Sequence, residues 1–252
     1  MAKKAAEPVR TVLVTGASRG LGLGIARKLA AAGYGVIAVA RKTNKNLTAA
    51  VVQAKRSKRG SLDFVAFDLG KIDAIPELVR TLRRDFGPLY GLVNNAAVGF
   101  DGVLATMHNS QIEELVRVNT LSPIVLSKYV VRSMMSERAG RIINIASIIG
   151  FTGYSGLSVY AATKAAMLGF TRSLAREVGR LGVNVNAVVP GFLDTDMTHG
   201  LDDEQRQQVM RRSALRRLVS VDDVADAVEF LLGDKAASIS GTVLTVDAGA
   251  TA

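Results

Sequence analysis

The run Thr11-Val-Leu-Val-Thr15 passes directly into Thr15-Gly-Ala-Ser-Arg-Gly-Leu-Gly22, and an amphipathic stretch follows to about Ala32. A β-branched strand, a glycine turn and a helix in immediate succession leave few architectures open. Glycine has no Cβ, so it takes left-handed backbone conformations and lets another group approach closely. The chain must turn sharply at the end of its first strand, and the helix N-terminus then faces the turn. Free N–H groups and a partial positive charge make that turn a site for an anionic group.

The same alternation continues. Short β-branched runs at Val36–Ala40, Leu62–Phe67, Gly91–Asn94, Arg141–Ala146, Asn184–Val189 and Val243–Val246 are separated by longer amphipathic segments. The spacing predicts helices near Thr48–Ser57, from an Asp73 N-cap with Pro76 in its first turn to Phe86, over Asn109–Met135, over Ser158–Leu181, and from Ser220 to about Gly233. Strands alternating with helices give a parallel sheet covered on both faces. The fold class is α/β: a single-domain, Rossmann-type doubly wound parallel sheet with helices on both faces. Residues 1–9 read as a disordered lead-in and 10–252 as one catalytic domain, with no linker or fixed-period repeat dividing them.

Composition narrows the function. The chain has 252 residues and no cysteine, which removes disulfides and thiolate metal sites, and no metal site is expected. No apolar run reaches the roughly 18 residues of a membrane span, so a cytoplasmic protein is expected. Net charge is +10, with clusters at Lys55–Arg59 and Arg211–Arg217. Neither cluster is interleaved with aromatic residues, and zinc-finger and RNP signatures are missing, which argues against a nucleic-acid partner. An anionic small molecule or an acidic protein fits the charge better.

The glycine turn lies between strand and helix, as a dinucleotide site requires. Gly16, Ala17, Ser18, Arg19, Gly20, Leu21 and Gly22 are therefore candidate pyrophosphate contacts. The second strand ends Val39-Ala-Arg-Lys42, without the carboxylate that would bind a ribose 2′-hydroxyl in an NAD site. Arg41 stands there instead. Its planar fork suits a 2′-phosphate, so the sequence favours NADP(H).

Tyr160 and Lys164 are four residues apart, hence one turn apart on a helix face, with Ser147 thirteen residues upstream. A phenol, an ammonium and a hydroxyl can deliver a proton to a reducible carbonyl. An ordinary tyrosine pKa lies near 10, and a cation close by in a desolvated site is expected to lower it.

With the glycine loop, Asn94-Asn-Ala-Ala97, Ser147 and Tyr160-Ala-Ala-Thr-Lys164 in register, the chain resembles the classical short-chain dehydrogenases/reductases from about Thr11 to Gly249. The resemblance implies that Tyr160 is the general acid, that Lys164 lowers its pKa and holds the nicotinamide ribose, and that Ser147 hydrogen-bonds the substrate oxygen. It implies that Asn119 holds a water linking the lysine to solvent. It also places Asp68 and Leu69 at the adenine, Asn95 beside the adenosine ribose, and Leu193 and Thr195 at the nicotinamide carboxamide. The family's usual Asn-Asn-Ala-Gly ends here in Ala97.

Within the family the chain is most similar to 3-oxoacyl-[acyl-carrier-protein] reductases, through Pro190-Gly-Phe-Leu-Asp-Thr-Asp-Met197 and Ser240–Asp247. That similarity implies an acyl carrier protein as partner. Arg138 matches one basic docking position; a second falls on Leu181, beside Arg180. A dehydrogenase of another secondary alcohol, such as a sugar, polyol or cyclic alcohol, remains the alternative. Residues 196–213 fall where the family has a substrate lid. Phe151, Tyr154, Leu157, Phe192 and Met197 are candidate pocket lining, and a homotetramer built through the two long helices and the last strand is implied.

Overall fold

The computed structural model describes residues 9–57, 59–193 and 203–252. Seven strands form one sheet in the order β3-β2-β1-β4-β5-β6-β7. They are β1 (Thr11–Thr15), β2 (Gly35–Ala40), β3 (Ser61–Ala66), β4 (Leu89–Asn94), β5 (Gly140–Ile145), β6 (Val183–Pro190) and β7 (Val243–Val246). Every pairing is parallel. Parallel neighbours need crossover helices, which cover both faces and make the central strands apolar throughout. Val12, Leu13 and Val14 are accordingly fully buried.

One face of the sheet packs on α1 (Gly20–Ala31), α2 (Lys45–Ser57) and α8 (Val221–Leu232), through Ile25, Leu29, Leu47, Val224 and Val228. The other packs on α3 (Ile75–Phe86), α5 (Ser122–Glu137) and α6 (Ser158–Val178), through Leu78, Leu82, Val130, Met134 and Leu174. Strand order reverses at β1, which lies between β2 and β4, and the crevice at the carboxyl ends of β1 and β4 is the switch point where ligands of such sheets bind.

Four boundaries depart from the sequence expectation. Asn44 accepts from Leu47 N at 2.9 Å, so α2 begins at Lys45, before Thr48. Asp73 caps nothing: it lies in a 3-10 turn, Ile72–Ala74, and α3 starts after it with Pro76 in its first turn. Helix α6 ends at Val178, where a 3-10 turn over Gly179–Leu181 takes over.

The fourth departure matters most. The long helix expected over 109–135 is two helices, α4 (Asn109–Val116) and α5, joined by a π-helical turn at Arg117–Leu121. Pro123 is the cause. It has no N–H for the carbonyl four residues back, that of Asn119, and its ring crowds that carbonyl. A π turn, with Ser122 N–H reaching Arg117 O, absorbs the conflict. At the C-terminal end α8 opens after Ser220 as the sequence predicts, and Ser220 and Asp223 form its reciprocal capping box. Within the segment assigned to the lid, α7 spans Asp203–Arg212; residues 196–202, including Met197, lie outside the described residues. No helix of the described residues is long and apolar enough to cross a membrane.

Candidate active site

The glycine turn closes on the ends of β2 and β4. Gly16 N and Ala17 N donate to Val39 O at 2.8 and 3.3 Å, and the Asn95 amide donates to Thr15 O at 2.8 Å. Gly16 has φ +66°, and a Cβ there would stand 2.8 Å from Ala96 Cα. A Cβ on Gly22 would strike the Gly16 carbonyl and the Asn95 amide. Both glycines are therefore dictated by backbone approach. Gly20, φ +53°, instead faces open space. Helix α1 starts beyond Arg19 with no side-chain cap and no acid in its first turn, so its N–H dipoles point into the crevice uncompensated.

Asn119 is 2% exposed. Its Oδ1 accepts from Val98 N at 2.8 Å, while its Nδ2 donates to Val98 O at 2.9 Å and to Thr163 Oγ1 at 3.3 Å. The side chain thus bridges the π turn to the loop after β4. Thr163, whose own Oγ1 donates to Tyr160 O at 2.7 Å, extends that bridge to the turn of α6 bearing the tyrosine. Thr163 was not singled out from the sequence; its position beside Lys164 on the buried face of α6 was the available signal.

Ser147 follows β5 and caps a 3-10 turn, Ile148–Gly150, with Oγ accepting from Ile149 N at 3.3 Å. Its hydroxyl also engages the Tyr160 phenol. Lys164 is 4% exposed, lies with Nζ 5.6 Å from the Tyr160 ring centre, and donates to Ile145 O at 3.0 Å. Ile145 is one residue past the last β4–β5 pair, so its carbonyl is available to the lysine.

The protonation pattern reverses one expectation. Burial pushes the Tyr160 phenol up to about 12, with the Ser147 hydrogen bond acting in the opposite direction. Burial also pulls Lys164 down to about 8. The lysine ammonium is bound to the Ile145 carbonyl rather than to the phenol oxygen.

The remaining assigned residues fall as follows. Arg41 is exposed just past β2 and has no ion pair or hydrogen bond with a described residue. Asp68 Oδ1 accepts from Gly70 N at 3.0 Å, shaping the turn after β3, and Leu69 is buried in the core. Leu193 forms a parallel bridge with Val219. Thr195 lies outside the described residues. Tyr154 and Phe192 pair with ring centres 6.1 Å apart, and Leu157, Tyr160 and Phe192 pack on one small apolar cluster. Two further residues organise the crevice: Thr15 Oγ1 accepts from Asn95 N and Ala96 N at 3.0 Å each, and Asn44 donates to Ser18 O at 2.8 Å.

Residues 10–206 match the family model described as short chain dehydrogenase. The 3-oxoacyl-[acyl-carrier-protein] reductase of Escherichia coli (strain K12) is 41% identical over 95% of this chain and 96% of its own length. That of Staphylococcus epidermidis is 36% identical, over 95% and 98%. Among solved structures, a putative gluconate dehydrogenase from Agrobacterium tumefaciens superposes with a TM-score of 0.91 at 26% identity, over 96% of this chain and 95% of that one. A short chain dehydrogenase from Burkholderia cenocepacia in complex with NADP gives 0.88 at 35%, over 97% and 98%. With its doubly wound sheet and its crevice of this geometry, the chain belongs to the short-chain dehydrogenase family, oxidoreductases that interconvert alcohol and carbonyl groups.

Proposed function

We propose that the chain is an NADPH-dependent reductase of the 3-oxo group of acyl thioesters carried by an acyl carrier protein. The observation that carries the reading is the trio of half-buried Ser147 and Tyr160 with buried Lys164, in a sheet whose phosphate turn leads to an uncapped helix N-terminus. The residues fit a dinucleotide. Gly20 faces open space where a Cβ-free backbone allows a pyrophosphate to approach, and α1 directs unpaired N–H groups there. Ser18, Arg19, Leu21 and the loop glycines would hold the phosphates, with Arg41 on the 2′-phosphate. Asp68, Leu69 and Asn95 would flank the adenosine, and Leu193 and Thr195 the carboxamide. When bound, the reduced dinucleotide supplies a hydride to the ketone carbon.

The chain supplies the proton. Tyr160 Oη, kept protonated by burial, gives its proton to the carbonyl oxygen as negative charge grows there. Ser147 Oγ donates a hydrogen bond to the same oxygen, an interaction that strengthens as charge develops. Lys164, titrating near pH 8, can take up and release a proton in the working range. Asn119 fixes the loop after β4 against α6.

The thioester assignment rests on the reductases named above and on a basic corner at which Arg138 donates to Arg180 O at 3.4 Å, both residues exposed. Exposed Val116 and Leu121, where α4 meets α5, support self-association into a homotetramer. A second reading, oxidation of a sugar acid or another secondary alcohol, draws on the likeness to a gluconate dehydrogenase. Turnover of an acetoacetyl thioester with NADPH, against a panel of alcohols with NADP, decides between them. Oxidation of gluconate in preference to thioester reduction would overturn the first reading.

A further inference from the structure

The positive charge of this chain is unevenly placed. Seven cations fall between Arg41 and Arg59, a stretch without one Asp or Glu, in a chain of net charge +10. Helix α2 occupies most of it. Arg41, Lys42, Lys45, Lys55, Arg56 and Arg59 are all exposed, and none is ion-paired with a described residue. Elsewhere several cations are ion-paired, Arg10 with Asp234, Lys28 with Asp226, Arg80 with Glu77, Arg84 with Asp85 and Arg217 with Asp223, and those that are not, such as Arg117, Lys128 and Arg132, lie in segments that also carry acidic residues. One flank of the sheet therefore carries a local excess of positive charge, offset in part at Arg59, which lines a hollow with Asp226, Glu229 and Asp234.

That flank is tied to the crevice. Asn44, just before α2, donates to Ser18 O in the glycine turn at 2.8 Å, and Arg27 of α1 donates to Asn46 O at 3.3 Å. From there α2 runs 13 residues, about 20 Å, away from the phosphate loop. Lys55 and Arg56 sit at its far end, well beyond contact with a ligand held at Gly16–Gly22.

We propose that Lys55, Arg56 and Arg59, at and just beyond the far end of α2, form an electrostatic guide for a phosphorylated dinucleotide, setting its capture rate and adding to the choice of NADP(H) over NAD(H) without touching it, the contact itself being left to Arg41. The proposal rests on the NADPH reading above. A 2′-phosphate adds about 1.5 to 2 negative charges, so the phosphorylated form feels the field more strongly. Exposed charges act over about 10 Å at 0.1 M salt and about 30 Å at 0.01 M, and a one-signed field raises association rates by roughly 10- to 1000-fold. An effect exerted on approach appears in the association rate and leaves dissociation alone.

The test is stopped-flow binding of NADPH and NADH to the full chain at two ionic strengths. The variants are Lys55→Glu/Arg56→Glu, the neutral Lys55→Gln/Arg56→Gln, and the control Arg176→Glu. Arg176 is exposed in the last turn of α6, which covers the opposite face of the sheet from α2. The reversed pair should slow NADPH association about 3- to 10-fold at roughly 0.01 M salt and less than about 2-fold near 1 M. The neutral pair should show a smaller loss of the same kind, NADH a weaker response, and the control none, with dissociation rates unchanged throughout. Unchanged association at low salt, equal slowing at both salts, or an effect confined to dissociation overturns the proposal. A parent chain with no preference for NADPH defeats the reading on which it rests, and does so before any α2 variant is compared.

Discussion

Val98 and Asn119 face each other through two hydrogen bonds, Val98 N to Asn119 Oδ1 at 2.8 Å and Asn119 Nδ2 to Val98 O at 2.9 Å. The asparagine behaves like a short piece of strand, completing the backbone of the loop after β4. Its second Nδ2 proton goes to Thr163, so both donors are satisfied inside the protein. Asn119→Ala should therefore destabilise the fold by about 2 to 3 kcal/mol, the sum expected for losing buried hydrogen bonds of this kind. Urea denaturation measures it, and a loss below about 0.5 kcal/mol would show that the bridge contributes little.

Tyr160→Phe removes the proton donor and keeps the ring. Turnover should fall by about 100- to 10,000-fold, the usual contribution of a positioned general acid. NADPH affinity, measured by fluorescence titration, should stay within about 3-fold because the ring still fills its place. Retained turnover would mean that another group protonates the carbonyl.

Lys164 carries a folded pKa of about 8 against an ordinary 10.5. Between those values the unfolded chain binds the extra proton, so this group makes stability rise with pH across that window, and its burial cost is complete below it. The shift corresponds to about 3 kcal/mol. Tyr160 acts oppositely from 10 to 12, where the folded chain retains a proton the unfolded chain has lost. In Lys164→Met the lysine component disappears, and the stability of the variant relative to the parent should fall by up to about 3 kcal/mol between pH 7 and pH 10. A difference that stays constant with pH contradicts the assignment.

Arg41→Asp places a carboxylate where the second strand ends. The ratio of kcat/KM with NADPH to that with NADH should drop at least about 10-fold, because a 2′-phosphate is repelled and a 2′-hydroxyl gains an acceptor. An unchanged ratio removes Arg41 from the phosphate site.

Gly22→Ala and Gly24→Ala separate backbone constraint from side-chain crowding. At Gly22 the new methyl meets the Gly16 carbonyl, which cannot move without opening the phosphate turn; at Gly24 it meets the Val221 side chain, which can change rotamer. Gly22→Ala should weaken NADPH binding by more than about 10-fold, and Gly24→Ala by less than about 3-fold. Equal losses at the two positions would contradict the distinction.

The glycine turn, the seven strands, the start of α8 at Ser220 and the alternation of elements are all legible because each is a local matter of periodicity, capping or a missing Cβ. Two misplacements had local signals as well: Asn44, three residues before Leu47, starts α2, and Pro123, four residues after Asn119, opens the π turn. The Tyr160 and Lys164 spacing puts both side chains on one turn of α6, and burial there pushes the phenol up, opposite to the effect of a neighbouring cation. Spacing tells which side chains share a helix face and is silent on how much water each retains. Sequence by itself determined the doubly wound sheet and which residues stand at its carboxyl edge. It took the folded chain to show that the Ile145 carbonyl, left over where β4 and β5 part, claims the lysine, that Val98 and Thr163 claim Asn119, and that the phenol loses much of its water. Those outcomes depend on desolvation and on hydrogen bonds between residues distant in the chain, which no local pattern records.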